Sequence, residues 1–181
     1  AFPQVFAYGP ARLDIQREDS KDQELHSKSP VYNLLHQKGT LLNIETWFKN
    51  QRLREVDTEN AKERKFYAER REAVIRLLME LMPVVTDIRL EGEKVIYQEK
   101  GKEVSWHHLS SGHKSIVAMI GDLLIRLYEH QPKVIQPKEL QGIVIIDELE
   151  THFHPEWQLE FPSLLSQYFP KIQFIASTHS P

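Results

Sequence analysis

Apolar and polar positions alternate along this chain with two periods, and the switch between them marks out the elements. Phe2, Val5, Phe6 and Tyr8 form a short apolar stretch closed by Gly9-Pro10, which predicts a strand over 2–8. Residues 14–30 are polar, around Gln16-Arg17-Glu18-Asp19-Ser20-Lys21-Asp22, and predict a loop. Leu41, Ile44, Trp47 and Phe48 recur at helical spacing and predict a helix over 41–54. A longer helix is predicted over 58–82, with Tyr67, Val74, Leu78 and Leu81 as its apolar stripe and Pro83 as its end. Lys62, Arg64, Lys65, Arg70 and Arg71 are assigned to its exposed side, where Glu63, Glu69 and Glu72 interleave with them. That mixture reads as a solvated face, not a nucleic-acid patch.

From residue 84 the period shortens. Ile88 and Leu90, then Val95 and Tyr97, then Val104 and Trp106 alternate with polar residues, and Gly92 and Gly101 separate the runs. This predicts a small antiparallel meander over 84–106. After Gly112, a continuous helical face of Ile116, Val117, Ile120, Leu123, Leu124 and Leu127 follows, with Pro132 just beyond it. Ile143-Val144-Ile145-Ile146 is too short for a helix and too apolar for a half-exposed strand, so it predicts a buried one. Pro155 suits the first turn of a helix running to Tyr168, with Pro162 as an expected kink. Ile172, Phe174, Ile175 and Ala176 predict a last strand. The strand–helix–strand unit over 142–176 implies a partly parallel sheet and an α/β fold.

Composition narrows the options. Of 181 residues, 40% are hydrophobic and 27% charged, an ordinary globular balance for one domain. A formal net charge of −3 gives no global field for nucleic acid. Without cysteine there is no disulfide and no Cys-based zinc site. No apolar run approaches a membrane span, and Ala1-Phe2-Pro3-Gln4 lacks the charged and apolar regions of a signal peptide. A cytoplasmic protein is expected. The start without Met and the stop at Ser180-Pro181 suggest a fragment of a longer chain.

Three places carry candidate chemistry. Asp147 and Glu148 stand at the carboxyl tip of the buried strand, where open α/β sheets bind ligands. An aspartate there can hold Mg²⁺, and a neighbouring glutamate can orient and deprotonate water, provided the chain turns at Glu148. The same pair can also simply end a strand. Ser110, Ser111, Gly112 and His113 open the amphipathic helix, so backbone N–H groups and the helix dipole offer an anion site. The same residues also make an ordinary serine cap. His179, in Ser177-Thr178-His179-Ser180-Pro181, follows the last strand and could reach a terminal phosphate, or be a surface loop histidine.

In this order, the three places resemble the ABC-type ATPases, in the SMC/Rad50/RecF-like branch of AAA-named ATPases of bacterial DNA repair and phage defence. Leu109–His113 resembles the signature motif, with Ser111 for the usual first glycine and His113 for the usual glutamine. Gly142–Glu148 resembles Walker B, Glu150–Pro155 the acidic/His-Pro segment covering the D-loop, and Thr178–Pro181 the H-loop. Tyr8-Gly9-Pro10-Ala11-Arg12 resembles a Tyr-Gly…Arg segment of the same ATPases. The resemblance implies the C-terminal lobe of a P-loop NTPase over 105–181. Residues 1–104 would be a helical and β insertion with part of the first lobe. The P-loop itself is missing: Lys28-Ser29 and Lys114-Ser115 lack the preceding glycine of G-x-x-x-x-G-K-[ST].

The resemblance further implies ATP and Mg²⁺ as cofactors and a homodimer that sandwiches ATP. Asp147 would bind Mg²⁺, Glu148 would polarise the attacking water and His179 would contact the γ-phosphate. Ser110, Ser111, Gly112 and His113 would bind the nucleotide of the partner protomer. A nuclease or other effector, and DNA, are possible partners, and the helices over 41–82 are a candidate partner-binding insertion. Two rivals stand beside this reading. One is a metal hydrolase built on His152, His154 and Asp147. The other is a non-enzymatic dimerisation module derived from such an ATPase.

Overall fold

A computed structural model of the protein describes residues 4–10, 41–151, 153 and 155–179. The loop expected over 14–30, Arg12, His152, His154 and Ser180-Pro181 lie outside the described residues. In chain order the elements are β1 (Val5–Tyr8), α1 (Ile44–Asp57), α2 (Ala61–Leu81), β2 (Val85–Glu91), β3 (Lys94–Glu99) and β4 (Lys102–Val104). They continue with α3 (Ser111–His130), β5 (Gly142–Ile146), α4 (Pro155–Tyr168) and β6 (Ile172–Ala176). The fold is α/β, with one parallel and one antiparallel sheet.

The parallel sheet has the order β1-β5-β6. Tyr8 lies opposite Ile146, and Ile146 opposite Ala176, so all three strands finish in one row. β5 and β6 are joined through α4, the expected parallel crossover. α4 runs through Pro162 without interruption. Phe161 and Leu165 of α4 bury against the core, and the Phe161 and Phe153 rings meet at 4.7 Å. The antiparallel sheet is the expected meander, β2-β3-β4, but Trp106 leaves it and starts a three-residue 3₁₀ turn, Trp106–His108.

α3 is the hub. Ile116, Val117, Ile120, Leu123, Leu124 and Leu127 are all fully or almost fully buried. Each such side chain contributes about 1.5–3 kcal/mol relative to exposure. At Gly121 a Cβ would sit 2.7 Å from the Ile44 Cβ, so only glycine lets α1 start this close to α3. α1 begins three residues later than its apolar pattern suggests because the Asn43 side chain accepts from the Glu45 and Thr46 N–H groups and caps it. Leu41 and Leu42 are buried before that cap without being helical. α2 likewise waits for its own cap, Asn60, because Thr58 closes α1.

One assignment on α2 is corrected. Arg70, placed on the solvated face by its sequence, is only 5% exposed. Its guanidinium lies between the Phe66 and Tyr128 rings, 4.3 and 4.5 Å from their centroids. Its Nε donates to the Val134 carbonyl at 2.9 Å. Two π faces and backbone carbonyls take the place of a carboxylate, a burial that helical period alone does not announce.

Candidate functional site

The row of strand ends places Tyr8, Asp147 and Ser177 side by side. Backbone pairing continues one step past each strand. Asp147 N–H donates to the Tyr8 carbonyl at 2.8 Å, Ser177 N–H to the Ile146 carbonyl at 3.0 Å, and Leu149 N–H to the Ser177 carbonyl at 3.1 Å. Between them the chain turns: Glu148 has φ +51°, the left-handed region that a non-glycine residue enters at a cost of about 1–2 kcal/mol. Such a turn is what the two carboxylates need in order not to face opposite sides of the strand.

The turn is held by side chains. Glu148 N–H donates to Ser177 Oγ at 2.9 Å, and Ser177 Oγ donates to Asp147 Oδ1 at 2.5 Å. The Thr151 hydroxyl donates to Glu148 Oε2 at 3.1 Å, and the Thr151 N–H to the Glu148 carbonyl at 3.0 Å. Glu150 reaches across to the segment after β6, where its Oε1 accepts the His179 N–H at 2.6 Å. That bond, foremost, holds the Glu150 carboxyl below its usual range. Asp147 and Glu148 are half-buried and His179 is exposed. The structure therefore brings Asp147, Glu148 and His179 to one end of the sheet. It adds Ser177 and Glu150, which carry no separate role in the sequence reading. The register of β6 against β5 was the missing signal for Ser177.

The oxygen donors at this tip fit Mg²⁺, which takes one or two carboxylates and fills its remaining positions with water and phosphate. Among the described residues no group of three or more His, Asp or Glu forms a metal cage. His152 and His154, which the metal-hydrolase reading requires, lie outside the described residues.

The second candidate region opens α3. Ser110 caps the helix, its Oγ accepting the His113 N–H at 3.3 Å. Ser115 Oγ donates to the Ser111 carbonyl at 2.9 Å. Ser110 and Ser111 are exposed and Gly112 is half-buried. A Cβ at Gly112 would meet no atom within 4 Å, so packing inside the chain does not demand glycine there. His113 turns inward: it is buried, its Nδ1 pairs with Glu99 of β3, and its ring meets the edge of Trp157 of α4 at 5.5 Å. The start of α3 is thus tied to the meander and to the crossover helix.

A buried network joins α3 to β1. Asp122, fully buried, accepts the Tyr8 hydroxyl at 2.7 Å, the Leu42 N–H at 2.8 Å and Arg126 Nε at 2.8 Å. Burial foremost, together with the Asp122 charge, pushes the Tyr8 phenol well above its usual value.

Comparison with known proteins matches residues 10–181 to the family described as "AAA domain, putative AbiEii toxin, Type IV TA system". The chain is 43% identical over 83 residues to the "Retron Vc95 probable ATPase" of Vibrio cholerae serotype O1 biovar El Tor, covering 46% of this chain and 16% of that protein. It is 28% identical over 177 residues to the "Septu protein PtuA" of Bacillus mycoides (strain KBAB4), covering 98% of this chain and 22% of that protein. Among solved structures it is similar to the SMC head domain from Thermotoga maritima, with 26% identity and a TM-score of 0.41 over 60% of this chain and 36% of that one. The chain spans about a fifth of the length of these curated relatives. No helix among the described residues is long and apolar enough to cross a membrane. With a family match over nearly its whole length, the chain belongs to this AAA-domain family.

Proposed function

We propose that this chain is the Walker B and signature portion of an ATP-hydrolysing domain that works as a homodimer. The observation that carries this reading is the left-handed turn at Glu148, which sets two carboxylates at the carboxyl end of a parallel sheet. Asp147 holds the magnesium of Mg·ATP, Glu148 orients and deprotonates the attacking water, and His179 reaches the γ-phosphate. Mg²⁺ held there by Asp147 would neutralise phosphate charge, and the residues around it would position the nucleotide and the water, the two effects such catalysis rests on. Ser110, Ser111 and Gly112 address the nucleotide of the partner protomer. The open space over Gly112 supports this role, since no neighbour within the chain calls for glycine. His113 sits behind them and fixes the helix start on which they stand.

The P-loop must come from a segment outside these residues, and the two edges of the parallel sheet differ in their readiness for it. Phe6, Ala7 and Tyr8 of β1 are fully buried, whereas Ile175 of β6 is 50% exposed and Leu159 of α4, 71%. Parallel sheets are normally covered on both faces, so the surface at β6 and α4 is where a further part of the domain would pack. Kinship with retron and Septu proteins supports a place in anti-phage defence, and an effector such as a nuclease is the partner proposed there. DNA repair is the other setting of this class of ATPase.

The test is Glu148→Gln in the intact protein. Turnover should fall by about 10²–10⁴-fold while ATP still binds, as expected for loss of a general base. Turnover within about twofold of the parent removes Glu148 from that role. ATP-independent dimerisation without hydrolysis in the parent supports the interaction-module reading instead.

A further inference from the structure

We propose that Ser177 is a positioning residue for the Asp147–Glu148 pair, an inference that rests on the site reading above. Its main chain is pinned on both sides, by its N–H on the Ile146 carbonyl and by its carbonyl under the Leu149 N–H. The Cβ direction is therefore set by β5, not by a loose loop. A hydroxyl has one proton and two lone pairs. The Glu148 N–H can only donate, so Ser177 Oγ accepts it at 2.9 Å. The hydroxyl proton is then available to an acceptor, and Asp147 Oδ1 stands 2.5 Å away. The direction of the chain is fixed: Glu148 N–H to Ser177 Oγ–H to Asp147 Oδ1. Each bond polarises the next.

One hydroxyl thereby controls both halves of the site. It satisfies the peptide N–H of the residue held at φ +51°, favouring a conformation that otherwise costs free energy. It also fixes the rotation of the carboxylate assigned to Mg²⁺. Without it, the Glu148 turn loses a bond that favours its positive φ, and the Asp147 carboxylate loses one of the ties that orient it. Ser177 is exposed, so truncating it opens no cavity in the core.

The experiment compares Ser177→Ala, Ser177→Thr and Glu148→Gln in the intact protein. For each, ATP turnover is followed against both ATP and Mg²⁺ concentration, ATP affinity is measured by calorimetry with and without Mg²⁺, and the melting temperature is recorded. Ser177→Ala should lower kcat by about 10–100-fold, the usual effect of losing a partner that orients a metal ligand. It should raise the Mg²⁺ concentration for half-maximal activity and shrink the Mg²⁺-dependent gain in ATP affinity. KM for ATP and melting temperature should stay close to the parent's. Ser177→Thr, which keeps the hydroxyl, should restore most of the loss. Parental kcat and Mg²⁺ dependence in Ser177→Ala, beside an inactive Glu148→Gln, overturns the positioning role and leaves the ATPase reading intact. Equal loss in Ser177→Thr and Ser177→Ala overturns the hydroxyl relay. Loss that follows the melting temperature with unchanged Mg²⁺ dependence makes Ser177 merely structural. A parent that shows no Mg²⁺-dependent ATP binding overturns both proposals together.

Discussion

Tyr8 belongs to two polar networks of opposite character. Its phenol enters the interior, where Asp122 is fully buried and takes three donors, from β1, from Leu42 ahead of α1 and from its own helix. Its carbonyl instead receives Asp147 N–H at the strand ends, where Asp147, Glu148 and Glu150 are all half-buried. An aspartate with every partner supplied from inside the fold is locked, because moving it strands several groups at once. The carboxylates at the strand tip are oriented by the Ser177 and Thr151 hydroxyls and the His179 N–H, yet are only half-buried. The first arrangement suits stability, the second suits chemistry on a bound ligand.

The largest expected effect tests that division directly. Asp122→Ala removes the nearest carboxylate from the half-buried Arg126 and strands the Leu42 N–H and Tyr8 hydroxyl. It should cost about 3–5 kcal/mol in urea unfolding, the range for breaking a buried ion pair from one side. Asp147→Ala, at the half-buried tip, should cost no more than about 1 kcal/mol while removing Mg²⁺-dependent ATP turnover. Similar unfolding losses in the two variants would erase the distinction. A smaller effect sharpens it. Tyr8→Phe removes the phenol bond to Asp122 but leaves the carbonyl that holds Asp147, so stability should fall by about 1 kcal/mol. Turnover should remain within about twofold of the parent, a small margin on a scale where about 1.4 kcal/mol is tenfold. A much larger loss of turnover in Tyr8→Phe would mean that the interior network also tunes the site.

The contrast explains what could be read without coordinates. A short unbroken apolar run locates the strand Ile143–Ile146 and the helical period locates the face of α3, because burial demands apolar residues. Asp147, Glu148 and His179 were visible because they follow strand tips. Ser177 and Glu150 were not, since their partners lie about 30 residues away in sequence and depend on register between β5 and β6. Arg70 and Asp122 were hidden for a related reason. A buried charge breaks the apolar pattern, and only its tertiary partners reveal that it is inside. His113 read as a nucleotide contact from its motif. Its inward pairing with Glu99 depends on where the meander packs, which no local pattern states.

The smallest effect concerns how Glu150 ties the two strand ends together. Its Oε1 accepts the His179 N–H, and this bond, foremost, holds its carboxyl below the usual 4.5. A depressed carboxyl binds protons less readily in the folded chain than in the unfolded one. Its contribution is therefore complete above the ordinary glutamate value and is lost as pH falls through the lowered one. The bond between Glu150 and His179 should keep its full, charge-assisted strength through pH 5 and weaken only below about 4.5, when the carboxyl becomes neutral. In NMR titration, the Glu150 side-chain carbon and the His179 amide should move together with one midpoint under that value. Glu150→Gln should abolish the shared step while leaving the fold in place, because the amide oxygen can still accept the His179 N–H. A midpoint at or above 4.5, or an amide that moves without its carboxylate, would show that the loop bearing His179 is held by something other than Glu150.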